Sequence, residues 1–229
     1  MKLYLSMALL ALSISASAQK RLYLKPSIST GISQVNNMDR FNAKDKFISV
    51  YGIGADLGYQ LSRLRLQTGL RIMQTGEATD INIPYVPFRH TPGFSIERRT
   101  RLTHVVIPVL VAYQVKLPGR FSLVPSVGGM ISYNLAETTK STNSQEPGVK
   151  YRDTELFGFD RSFAPVTFTF FATAELGVVY QLTKNIKLHA TPAYNQMITD
   201  MAHTTTIGPL DISVKPYNIM LNLGIVKEL

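Results

Sequence analysis

The sequence predicts an all-β fold, an eight-stranded antiparallel up-and-down transmembrane β-barrel. Three observations predict it. From Gln19 onward the apolar residues recur with a period of two rather than 3.6. The face opposite the apolar one is glycine and small polar residues more than surface charge, which suits a crowded interior. The connections alternate between short and long. Antiparallel strands place short and long connections at opposite ends, the sorting expected of a barrel whose short turns face the periplasm and whose long loops face outward.

The first residues read as an address. Met1 and Lys2 precede an apolar run from Leu3 to Ile14, and Ala16-Ser17-Ala18 is a small-x-small cleavage site before Gln19. Residues 1–18 are therefore expected to be a signal peptide, and 19–229 the barrel domain.

The strands follow in order. A first strand is expected over about Leu22 to Val35, with Pro26-Ser27-Ile28-Ser29-Thr30-Gly31 less cleanly patterned. Tyr51, Ile53, Ala55, Leu57 and Tyr59 share the outward face of the second, opposite Gly52, Gly54, Asp56, Gly58 and Gln60. A tight connection at Ser62-Arg63 leads to the third, with Leu64, Leu66, Thr68, Leu70 and Ile72 outward. Val105, Ile107, Val109, Val111 and Tyr113 mark the fourth, which ends at the turn Lys116-Leu117-Pro118-Gly119. Phe121, Leu123, Pro125, Val127, Ile131 and Tyr133 mark the fifth, and the alternation from Val166 to Tyr180 marks the sixth. The turn Thr183-Lys184-Asn185 precedes Ile186, Leu188, Ala190, Pro192 and Tyr194, and the last strand carries Tyr217, Ile219, Leu221, Leu223 and Ile225. Long connections are expected over about 36–46, 76–101, 135–163 and 199–213. Closure is required because an unpaired strand edge in hydrocarbon costs several kcal/mol for each group.

The bulk composition agrees. Hydrophobic residues make up 45% of the 229, yet the mature part has no apolar run long enough for a transmembrane helix. Cysteine is absent, which excludes disulfides, a thiolate metal site and a lipid-anchored cysteine. The net charge of +9 is dispersed, so no nucleic-acid partner is expected. It suits anionic lipid head groups.

The chain ends Asn222-Leu223-Gly224-Ile225-Val226-Lys227-Glu228-Leu229. This resembles the terminal insertion signal of bacterial barrels at Asn222, Gly224 and Leu229, and departs from it at Lys227. The exported start, the Lys25-Pro26-Ser27-Ile28 segment, the His104-Val105-Val106-Ile107-Pro108-Val109-Leu110 segment and the glycine-containing last strand together resemble the PorT-like group of small outer-membrane barrels. The resemblance implies an outer-membrane location and the barrel-insertion machinery as a partner during assembly. Some members are linked to protein secretion, and the resemblance supplies no catalytic residues.

On this parity Asp56, Arg65, Arg71, Glu175 and Lys187 face inward, with His189 on the same side. Eight strands leave room for side chains and little more, so these are expected to form a polar plug, a lumen charge network. Arg98, Arg99 and Arg101 are candidates for contact with lipopolysaccharide phosphates. Of the histidines, His90 and His203 fall in long connections and His104 near a strand start at the outer rim. No Gly-x-Ser-x-Gly, His-x-x-x-His or calcium-loop pattern accompanies them, so no catalytic residue, metal or cofactor is assigned. The expected role is structural or partner-binding, through the long extracellular loops 76–101 and 135–163, with both mature termini periplasmic. A narrow channel for small solutes and a lipid-modifying enzyme at the outer leaflet are the alternatives.

Overall fold

A computed structural model describes residues 20–35, 44–83, 94–143, 150–156, 168–199, 201–202 and 213–229. The expected signal peptide, His90 and His203 lie outside the described residues. Eight long strands build the molecule: β1 (Lys20–Val35), β2 (Ile48–Leu61), β3 (Leu64–Ile83), β4 (Phe94–Tyr113), β5 (Phe121–Asn143), β6 (Phe168–Gln181), β7 (Ile186–Met197) and β8 (Pro216–Glu228).

Each strand pairs antiparallel with the next, and β1 pairs antiparallel with β8, from Val35 opposite Pro216 to Tyr23 opposite Glu228. The sheet therefore closes on itself, which removes the edges that hydrocarbon would leave unsatisfied. Among the described residues no helix is long and apolar enough to cross a membrane. The crossing is made by strands.

The alternation read from the sequence sets the two faces. Ile28, Ile53, Leu70, Val109 and Val127 are all more than half exposed, although each is a large apolar side chain. Their inward neighbours, such as Asp56 and Arg71, are buried. Aromatic pairs flank this apolar wall. Phe121 and Tyr180 lie 5.0 Å apart toward the short turns, and Tyr133 and Phe168 lie 5.3 Å apart toward the other end. From Phe168 to Tyr180 the strand runs roughly 40 Å at about 3.3 Å per residue. A tilt of about 40° reduces this to about 30 Å, the thickness of a hydrocarbon core.

The three short connections are tight turns. Ser62 adopts φ 57° and Gly119 φ 81°, the left-handed conformations that close the first two. The long connections differ from expectation. Residues 76–83 and 94–101 are not loop; they extend β3 and β4 and stay paired as far as Ile83 opposite Phe94. Likewise β5 runs to Asn143, and a short strand at Lys150–Leu156 pairs back along it. Lys44–Lys46 pairs with β3 at Asp80–Ala78, and Met201–Ala202 pairs with Ser213–Val214. Beyond the hydrocarbon no side of a strand must be apolar, so the period-two signal fades while the backbone ladder continues. Both described ends, Lys20 and Leu229, meet at the short-turn end, where Leu229 N donates to Leu22 O at 2.9 Å.

Gly58 faces inward and is needed for space. A Cβ on Gly58 would stand 1.9 Å from Tyr23 Cζ. Gly58→Val is expected to lower the fraction of protein that refolds into detergent micelles, read as the heat-modifiable band on a gel, because overpacking costs about 1–3 kcal/mol. Adding Tyr23→Ala should restore that fraction; no effect of Gly58→Val would contradict this packing.

Candidate functional site: the lumen and the surface above the apolar wall

The strand parity sends four charged side chains from different strands to one level of the lumen. Asp56 on β2 is fully buried. Its Oδ1 accepts from Arg71 Nε at 2.9 Å, and its Oδ2 accepts from Arg71 Nη2, Gln67 Nε2 and Lys25 Nζ, each at 2.9 Å. Arg71 Nη1 reaches across to Glu175 Oε1 on β6 at 3.2 Å, and the Ser126 hydroxyl donates to Glu175 Oε2 at 3.4 Å. The run Lys25–Asp56–Arg71–Glu175 has balanced charge and joins β1, β2 and β3 to β6 across the lumen. Gly69 makes room for it: a Cβ there would lie 2.7 Å from Asp56 Oδ1. A buried ion pair is costly unless its remaining hydrogen bonds are met, and here Gln67 and Ser126 meet several of them.

The five residues expected to form one network are divided by the structure. Asp56, Arg71 and Glu175 meet. Arg65 is buried nearer the short turns, where it donates to Gln114 Oε1 at 2.7 Å and Gln60 Oε1 at 3.2 Å and lies 5.3 Å from the centre of the Tyr23 ring. Lys187 pairs instead with Glu228. His189 is buried against Thr191, with 3.2 Å between Nδ1 and Oγ1. Sequence reasoning missed Lys25, although its register partner is Asp56 itself. The uneven pattern of β1, broken by Pro26, concealed that it faces inward. Glu228 was missed because it was read only as part of a terminal signal.

The polar plug expected from the sequence is only part of the interior. Toward the long-connection end the lumen is filled by apolar side chains, among them Val50, Met73, Val106, Met130, Phe171 and Met197, all buried. Most lie in stretches apolar on both faces, such as Val105-Val106-Ile107, where alternation carries no signal.

His104 also departs from expectation. It does not sit at the rim but points inward, fully buried, against the edge of Phe171. Its Nε2 lies 2.6 Å from Thr75 Oγ1 and its Nδ1 2.5 Å from Asn134 Oδ1. With the amide oxygen accepting, Nδ1 carries the proton and Thr75 donates to Nε2, which is a neutral ring. The order hydroxyl–imidazole–amide has the outline of a nucleophile, a base and an orienting group. All three side chains are fully buried, so a substrate would have no access to the hydroxyl.

The arginine triplet is split by parity. Arg99 and Arg101 point outward, and Arg98 lies on the other face. Arg99 stands opposite Lys140 in the ladder on one side and opposite Ala78 on the other, and Ala78 pairs in turn with Lys46. Lys46, Arg99, Arg101 and Lys140, with Phe47 and Ser49, line a cleft of about 410 Å³ above the apolar wall. Arg99 is paired to Glu97, and Lys46 to Asp80 at 2.6 Å. That carboxylate, through its hydrogen bond, raises the Lys46 ammonium above the ordinary lysine value. Among the described residues, no acid pairs with Arg101 or Lys140. Lys46 and Lys140 were not foreseen, because they reach this cleft only through strand extensions read as loop. The described residues hold no cluster of three or more metal-ligating side chains.

No family model matches the chain, and no curated protein matches it by sequence. Solved structures similar to it include the outer membrane protein OprG from Pseudomonas aeruginosa, at 10% identity and TM-score 0.49, covering 93% of this chain and 97% of that one. Neisserial surface protein A is similar at 12% identity and TM-score 0.38, covering 91% and 97%. Ail of Yersinia pestis, solved with the heparin analogue sucrose octasulfate, is similar at 12% identity and TM-score 0.34, covering 90% and 98%. On its own pairing and its own outward apolar wall, the chain is a closed eight-stranded antiparallel transmembrane barrel of the outer-membrane type.

Proposed function

We propose that this protein is an outer-membrane anchor, shut along its axis, that works through its outer surface. The observation that carries the reading is the blocked lumen. A charged run crosses it at one level, and apolar side chains fill it at another. With the axis occupied, the surfaces left for function are the paired extensions at 76–101 and 135–156 and the outward cleft beside them. The short-turn end is read as periplasmic, with both mature termini there. Residues 1–18 serve export, and the insertion machinery reads the last strand. The resemblance to the PorT-like group makes a secretion component the first protein partner to seek.

The outward cleft supports contact with lipopolysaccharide. Its cations stand just above the apolar wall, where phosphates of an outer-leaflet glycolipid would lie, and arginine suits phosphate. Arg101→Gln/Lys140→Gln is expected to weaken binding of phosphorylated lipid A about tenfold in detergent, measured by native mass spectrometry. Dephosphorylated lipid A should bind both proteins equally. Equal loss for both lipids, or none for the phosphorylated one, contradicts the reading.

The channel alternative is tested by planar-bilayer recording, where silence supports the anchor and stable single-channel steps contradict it. We read the protein as non-enzymatic, since the one triad-like arrangement among the described residues, Thr75–His104–Asn134, is sealed within the barrel. Mass spectra of lipid A from cells with and without the protein should be identical; a difference abolished by Thr75→Val would overturn this.

A further inference from the structure

The short-turn end holds a second charged cavity that the anchor reading does not use. It is ringed by residues of all three short turns and of the last strand, has a volume of about 640 Å³, and is lined by Arg63, Lys116, Arg120, Lys184 and Lys187 with a single carboxylate, Glu228. That carboxylate is engaged by Lys187. Among the described residues Lys116, Arg120 and Lys184 have no acidic partner.

The cations stand on ordered turns. Leu117 N donates to Phe121 O at 3.1 Å and Gln181 N to Arg120 O at 2.9 Å, which fixes the turn carrying Lys116 and Arg120. Leu182 N donates to Ile186 O at 3.0 Å, and Ile186 N to Thr183 Oγ1 at 3.1 Å, which fixes the turn carrying Lys184.

An independent feature lies beneath. Arg65 is 3% exposed and donates to the neutral amides of Gln60 and Gln114, both of which line the cavity. Its hydrogen-bond acceptors are neutral, so this buried guanidinium has no carboxylate in direct contact among the described residues. The mouth and the side chain beneath it thus carry an excess of positive charge, five lining cations and Arg65 against the one carboxylate of Glu228.

We infer that this mouth is a binding site for an acidic peptide segment of another protein. Its lining joins all three turns to the inward-facing Gln114 and Lys187, which places it at the end of the lumen rather than on the outer wall where lipid head groups lie, and an extended chain end fits there. Gln60, Gln114, Gln181 and Ser122 supply donors and acceptors suited to a peptide backbone between the charges. The inference does not depend on the anchor reading or on which compartment the mouth faces.

The test uses the full-length mature protein in nanodiscs, open to solution on both sides, and a fluorescein-labelled octaglutamate peptide followed by anisotropy. Binding is expected to weaken as salt rises. Lys116→Gln/Arg120→Gln/Lys184→Gln should weaken it about tenfold or more. Lys46→Gln/Arg101→Gln/Lys140→Gln, the same charge change at the opposite end, should leave it unchanged. Unaltered affinity in the mouth variant overturns the inference, as does an equal loss in the opposite-end variant. So does displacement of the peptide by micromolar inorganic pyrophosphate, which would mark a phosphate site instead. Folding of every variant is checked by the heat-modifiable band.

Discussion

Asp56→Ala is expected to lower the stability of the barrel by about 3–5 kcal/mol, the cost of leaving buried charges without their partner. Asp56 is the point at which Lys25, Gln67 and Arg71 converge, and its loss leaves two cations facing the single carboxylate of Glu175. Urea unfolding in lipid vesicles measures it, followed by circular dichroism because the chain has no tryptophan. Glu97→Ala breaks an exposed pair with Arg99 and should cost less than about 1 kcal/mol. Equal effects for the two variants would mean that the lumen run contributes no more than a surface contact.

The second large effect is expected at Phe171. It is buried among Met130 and Met197, its register partners, and meets the His104 ring edge-on at 6.0 Å. Phe171→Ala should cost about 3–5 kcal/mol, since the cavity has rigid strands on every side and relaxes little. It should not create a conducting pore, because the charged run still crosses the lumen below it. Combining Phe171→Ala with Arg71→Ala loosens both levels, and planar-bilayer steps are expected from that protein alone. Conductance from Phe171→Ala by itself would show that the charged level does not close the axis.

The two effects concern parts of the lumen that differed in how readable they were. The outward wall was legible in most strands, because lipid favours an apolar residue at every second position; β1, with Pro26 and Thr30 outward, was the least clear. Asp56, Arg71 and Glu175 were legible as inward charges for the same reason. Which of them meet was not, since contact across a barrel depends on register and on the reach of Arg71, neither of which a strand pattern encodes. Lys25 was lost to the uneven β1, and the apolar level to strands greasy on both faces. The extensions at 76–83, 94–101 and 135–143 were misread as loops because water on both sides imposes no alternation. Arg99 and Arg101 were found by type alone, while Lys46 and Lys140 joined them only through backbone pairing.

The proposed roles also differ in what they need. Lipid contact needs the outward cations to lie at head-group height, and peptide capture needs an open mouth at the short-turn end. Both presuppose that the apolar wall is the surface facing lipid. The absence of cysteine makes that directly measurable, since a single introduced thiol carries a unique label. Spin labels at Ile53→Cys, Leu70→Cys, Val109→Cys and Val127→Cys, in protein reconstituted in bilayers, report collisions with oxygen, which concentrates in lipid, and with a nickel chelate, which stays in water. Oxygen should dominate at all four positions, and the nickel chelate at Lys116→Cys in the turn. Nickel-chelate dominance at the four wall positions would contradict the membrane-spanning barrel.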